Sequence, residues 1–152
     1  MATWQAFSEQ APELARKAHD LLGRSGKEEV LLATVRDGEP PRLHPVTVQV
    51  HDGGLFVLVH PSSKLTDLET DGRYALHTYM DPNRPDEFAA RGRVRPVQGA
   101  RRDELAAAWP WKAGADVRAF ELLLDEAVLG ERGRNEWPPR YTTWTAPNGA
   151  AR

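Results

Sequence analysis

Residues 42–78 read RLHPVTVQVHDGGLFVLVHPSSKLTDLETDGRYALHT, and the fold is decided there. Val46, Val48 and Val50 alternate with Thr47, Gln49 and His51, the period of a half-buried strand. Asp52-Gly53-Gly54 supplies residues that tolerate the positive φ angles of a hairpin turn. Leu55 to Val59 is a continuous apolar run of strand length. After His60-Pro61-Ser62-Ser63-Lys64 the pattern turns helical: Leu65 and Leu68 are three apart, with Asp67 and Glu69 expected on the wet side. Two hydroxyls and an ammonium stand where a helix begins, and helix N-termini carry outward N–H groups and partial positive charge. An anion site and an ordinary helix cap with a solvated lysine both fit this loop.

The surrounding chain bounds the answer. At 152 residues it holds one domain with a real core. The formal net charge of −2 gives no prior for nucleic acid. No cysteine is present, which removes disulfides, thiolate nucleophiles and Cys-based metal sites and is compatible with a cytoplasmic setting. The N-terminus lacks a basic-then-apolar signal pattern, and no apolar run approaches the roughly 20 residues of a membrane span. There is no G-x-G-x-x-G, Walker loop or G-x-S-x-G, so P-loop and serine hydrolase chemistry have no support.

Residues 8–22 predict an amphipathic helix with Leu14, Ala18, Leu21 and Leu22 on one face and Gly23 as its stop. This helix and the Ser25-Gly26 linker fill residues 1–28. Residues 30–35 predict a strand apolar on both faces, 73–79 another, and 87–97 a long one in which Gly92 permits a bulge or close approach. Residues 100–109 predict a helix ended by Pro110, and 140–146 a last strand before a loose tail at 147–152. Residues 119–129 are ambiguous: Ala, Glu and Leu favour helix, while the alternation of Phe120, Leu122 and Leu124 allows a strand. The result is an α+β fold, a closed or nearly closed β-barrel of six to seven mostly antiparallel strands with two or three helices.

The ordered series of a D-G turn, R-x-x-P-V, a hairpin, P-x-S-K-x-x-D-L, R-Y-A-L-H and G-R-x-R-P-V resembles the pyridoxamine 5′-phosphate oxidase-like, FMN-binding split-barrel superfamily. It is most similar to small actinobacterial-type members that use FMN or the deazaflavin F420. The resemblance runs from about Val30 to Val97 and more weakly to Trp144, and it selects the strand for 119–129. It implies that the barrel is a split β-barrel that forms a homodimer, with cofactor in grooves between subunits. It further implies that Ser62, Ser63 and Lys64 hold the FMN phosphate, with Ser63 standing where the parent oxidases have arginine. Arg42, Leu43, His44, Pro45, Val46 and Thr47 match the strand on which the isoalloxazine ring packs, Thr47 replacing a lysine. Val59 and His60 match a two-residue contact before the phosphate loop, and Glu87 aligns with a flavin-touching glutamine. Trp137 and Arg140 stand near the positions of a C-terminal tryptophan and arginine. Some split-barrel relatives bind heme, for which His44 and His60 are the candidate ligands.

The five histidines show no metal-ligand spacing, so no metal site is expected. Arg91, Arg93 and Arg95 share one strand face, read first as a solvated face and second as a clamp for an anionic cofactor tail. Five tryptophans and valine-rich strands exceed what a small barrel encloses, which also points to a dimer. The expected function is hydride transfer between FMN, or alternatively F420, and a small organic substrate, with a non-catalytic flavin- or heme-binding protein as rival. Catalytic residues are not assigned, because flavin chemistry needs no protein nucleophile. Neither nucleic acid nor membrane is an expected partner.

Overall fold

The computed structural model describes residues 1–24, 26 and 28–147. Ser25 of the linker and the expected tail past Pro147 lie outside them. Seven strands, β1 (Glu29–Thr34), β2 (Arg42–His51), β3 (Gly54–Val59), β4 (Arg73–Thr78), β5 (Glu87–Val97), β6 (Arg118–Glu131) and β7 (Arg140–Thr145), pair in the order β3-β2-β1-β4-β5-β6-β7. β3 also pairs with β6, so six antiparallel strands close on themselves and β7 continues beyond the closure.

Closure depends on the length and bend of β6. Its first residues, Arg118 to Glu121, pair with β3, while Glu126 to Glu131 pair with β7. Its other edge follows β5 throughout, with a bulge where Arg91 faces Glu126 but Gly92 faces Leu124. Asp125 is the extra residue there. Gly92 is required: a Cβ at this position would stand 1.9 Å from the Leu123 carbonyl oxygen. Helix propensity lost in 119–129 because Phe120 to Leu124 are all buried, between two strand partners and two packed faces.

The first hairpin forms as its sequence predicts. Asp52 and Gly53 have φ of 49° and 76°, the pair of positive values a tight hairpin needs. β3 is buried along its whole length. One side faces the main core, and Phe56 and Leu58 face a smaller cluster with Leu105, Trp109, Val117 and Ala119 under α4 (Gly99–Ala108).

The N-terminal segment departs from expectation. Instead of one helix over 8–22 there are two, α1 (Trp4–Gln10) and α2 (Pro12–Gly23). Pro12 forces Ala11 out of helical geometry, to φ −138° and ψ 64°, and then opens the second helix. Thr3 caps the first, its Oγ1 accepting from the Ala6 amide at 3.1 Å. The two helices close one side of the barrel: Phe7 packs against Trp4, Phe88 and Trp144, at centroid distances of 5.2, 6.5 and 4.9 Å. With α3 (Ser63–Thr70) the described residues hold four helices rather than two or three. None is long and apolar enough to cross a membrane.

Candidate functional site

Strand alternation divides the run Arg42–Thr47 between two faces. His44 lies opposite Leu32 and Arg42 opposite Thr34, both fully buried, so Arg42, His44 and Val46 face inward. Leu43, Pro45 and Thr47 face outward. On that outer side lies a groove of about 600 Å³. Of the sequence-predicted residues it brings together Pro45, Val46, Thr47, His60 and Lys64. It adds Trp111 and Lys112 from the loop after α4, together with Glu29 and Leu58.

The phosphate-loop residues differ in what they have free. Ser62 is the N-cap of α3: its Oγ accepts from the Leu65 amide at 3.2 Å and donates to the His60 carbonyl at 2.9 Å. The Thr66 amide bonds to the Ser62 carbonyl at 3.1 Å. The cap reading therefore holds for Ser62, whose hydroxyl is spent locally. Among the described residues the Ser63 and Lys64 amides have no acceptor, as the first turn of a helix leaves them. Those amides, the Ser63 hydroxyl and the half-buried Lys64 ammonium remain for an anion.

Facing them, the His60 ring stacks on Trp111 with centroids 4.7 Å apart and planes 20° from parallel. Trp111 meets Trp109 edge-on at 6.4 Å, and Trp109 is buried in the smaller core. The loop that carries Trp111 and Lys112 is thus anchored from beneath. The groove combines a planar stack, two ammonium groups and one carboxylate, Glu29. These groups fit a planar ligand with an anionic tail.

Asp67 is not on the wet side. It is 1% exposed and faces the barrel mouth, where Thr34 Oγ1 donates to its Oδ2 at 2.7 Å and Arg42 Nε at 3.1 Å. Arg36 Nε stands 3.2 Å from Oδ1, in a Coulombic contact whose geometry is not that of a hydrogen bond. The end of β1 and the start of β2 bring these donors together, and a carboxylate is tolerated there because it is paired. Arg42 is therefore engaged with Asp67, at the inner mouth rather than in the groove.

His44 does not flank the groove either. It points inward, its Nε2 is buried without a hydrogen-bond partner, and its pKa is lowered. Burial is the main cause, followed by the positive charges of Lys64 and Arg42, with Asp67 opposing. Val59 is buried in the main core and offers only its backbone. Glu87 lies apart from the groove, with His77 Nε2 at 3.5 Å and the Tyr141 hydroxyl at 3.4 Å. Trp137 is exposed on the β6–β7 connection beside Arg132, and Arg140 pairs with Glu136 at 2.8 Å. Neither lines the groove.

The arginine stripe is tied to its neighbours. Arg91 pairs with Glu126 at 3.1 Å, Arg95 with Glu121, and Arg93 donates to the Asp71 carbonyl at 3.2 Å. The first reading, a solvated strand face, fits these exposed arginines, and the structure adds the ion pairs. Beside it, Leu31, Ala33, Leu43, Ala75, Ala89 and Val128 form an apolar depression of about 270 Å³ on the outer barrel wall. Leu31 lies opposite Pro45, so this face runs up to the groove.

No protein-family model matches the sequence, and no curated protein sequence compared with it matches. Solved structures do. Over 94% of this chain and 93% of its own, PhzG from Burkholderia lata 383, in complex with tetrahydrophenazine-1-carboxylic acid, superposes with a TM-score of 0.61 at 13% identity. A Clostridium acetobutylicum protein of the pyridoxinephosphate oxidase family, related to general stress protein 26 of B. subtilis, gives 0.58 at 15% identity, over 93% and 95% of the two chains. HutZ, the heme storage protein from Vibrio cholerae, gives 0.56 at 14%, over 89% and 93%. The chain has the split-barrel fold of the pyridoxamine 5′-phosphate oxidase-like proteins.

Proposed function

We propose that this split barrel is an FMN-dependent oxidoreductase that moves hydride to or from a small organic substrate in the groove beside Lys64. One observation carries the reading. Lys64 and Lys112 line one groove with the stacked His60 and Trp111 rings, and Lys64 lies in the first turn of α3, whose amides have no acceptor among the described residues, a donor set and surface suited to a flavin phosphate and ring. FMN would supply the redox chemistry. The chain would bind the phosphate through Ser63 and Lys64, and present Pro45, Thr47 and the ring pair to the flavin. Arg42, His44 and Val59 support the site from within the barrel and do not touch the ring through their side chains. Lys112, the second ammonium, suits a substrate carrying a carboxylate, as does the ligand of the PhzG structure.

The same reading includes a homodimer. Leu43 is 65% exposed in the apolar outer depression, and a second copy seated there would cover it and wall the groove. The expected setting is cytoplasmic.

Heme is a second reading, drawn from HutZ and from His60, which is exposed at the groove rim. The absorbance spectrum of freshly purified protein separates the possibilities. FMN predicts the two visible-region flavin bands, F420 a single deazaflavin band and heme a Soret band. A Soret band that survives gel filtration would overturn the flavin assignment.

A further inference from the structure

We infer that Asp67 is a positioning residue for the anion end of the groove, holding α3 and Arg42 in the arrangement that lets Lys64 bind phosphate. This deepens the proposed FMN reading and rests on it. Asp67 stands three residues after Lys64, one turn along the same helix. Two donors and one further cation converge on its carboxylate from three successive segments: Thr34 ending β1 and Arg42 opening β2 donate to Oδ2, and Arg36 in the connection stands in Coulombic contact with Oδ1. Leu65 and Leu68 fix the helix through apolar packing, which is non-directional. Asp67 adds directional hydrogen bonds to two strands.

The arrangement is costly as a purely structural device. A buried carboxylate must be paired, yet Oδ1 receives no hydrogen bond. A leucine at this position would leave Thr34 and Arg42 without their acceptor. What the carboxylate provides is control over two cations. Arg42 is tied through Asp67 to the helical turn that carries Lys64, and the charges of both lower the pKa of the half-buried His44. Without Asp67 the guanidinium would be free to swing and to repel Lys64. With it, Arg42 is held as a fixed source of positive field behind the anion site and is not itself a ligand.

Flavin fluorescence titration tests this with FMN and riboflavin, which differ in the phosphate. Asp67→Asn should weaken FMN binding about tenfold, the scale of losing a residue that orients a ligand-binding group, and leave riboflavin within about twofold. Arg42→Gln should do the same. The double variant should lose no more than either single one, because the two residues act as a unit. Leu14→Ala, buried in α2 away from the groove, should lower the melting temperature and leave the FMN-to-riboflavin ratio unchanged.

Equal losses for both flavins in Asp67→Asn would make the carboxylate merely structural. Multiplying losses in the double variant would make Arg42 an independent phosphate ligand. Either result overturns the inference. If Asp67→Asn does not fold, Arg42→Gln alone decides, an unchanged ratio being the contrary result. An unmodified chain that binds neither flavin overturns the FMN reading and this inference together. Lys64-dependent FMN binding that ignores Asp67 and Arg42 overturns this inference alone.

Discussion

Lys64→Ala is the perturbation whose size the structure constrains best. Deleting a charge-assisted hydrogen bond costs roughly 1.5–3 kcal/mol. At about 1.4 kcal/mol per decade that is on the order of 10- to 100-fold in dissociation constant. Two features place the loss near the lower end. Lys64 is only half-buried, so water screens its charge. The Ser63 and Lys64 amides survive the substitution and still meet the phosphate. FMN affinity should therefore fall about tenfold, and raising the salt concentration should weaken the unmodified chain more than the variant. Riboflavin, lacking the phosphate, should bind both equally. Ser63→Arg, which introduces a bidentate donor at the first turn of α3, should tighten FMN alone. Fluorescence titration of the three chains with both flavins reads all of this. Equal losses of FMN and riboflavin in Lys64→Ala would refute the phosphate assignment and the placement of the cofactor with it.

Three further outcomes follow from the geometry. Gly92→Ala puts a Cβ 1.9 Å from the Leu123 carbonyl, so urea unfolding should show a loss of at least about 1–3 kcal/mol, and unaltered stability would remove the bulge from the account of closure. His44 has a folded pKa below its ordinary 6.5, so the unfolded chain takes up the proton first. Stability should then be complete above that value and decline as pH falls below it, and His44→Gln should flatten the slope measured by thermal melts between pH 5 and 7. An unchanged slope would mean that His44 is solvated. Leu43→Glu, in the apolar depression, should convert a dimer into a monomer by light scattering. A native chain that is already monomeric at micromolar concentration would refute the proposed interface.

How much of this was readable in advance varied with the physics involved. The first hairpin was legible because Asp52-Gly53-Gly54 and the flanking period of two are local signals. Gly92 was legible as a special position, though only the structure shows the Leu123 carbonyl that demands it. The strand at 118–131 was not legible from propensity, since its Ala, Glu and Leu are overridden by packing on both faces. The break at Ala11 could have been read from Pro12, and the first helix from Thr3. In the site, Ser63 and Lys64 were legible from the loop pattern as a possible anion site, whereas His60, Pro45 and Thr47 came only from the family resemblance. Arg42 and His44 were misplaced although the alternation that buries Val46 and Val48 also turns them inward. Asp67 could not be read, because an acid on a short helix is usually solvated and nothing local announces the partners it meets from other segments. Trp111 and Lys112 reach the groove only through long-range folding, the adjacent aromatic and basic residues of Trp109-Pro110-Trp111-Lys112 being the one hint.

The central claim is that the groove beside α3 is a flavin site. Visible circular dichroism of the unmodified chain during titration with FMN tests it most directly, since the weak optical activity that the ribityl chain gives free FMN changes strongly when a chiral site holds its ring. The account predicts a saturable flavin signal that inorganic phosphate competes away, and that weakens in Trp111→Ala as the stacked surface is lost. A saturable flavin signal that never appears, or one indifferent to both phosphate and Trp111, would contradict it.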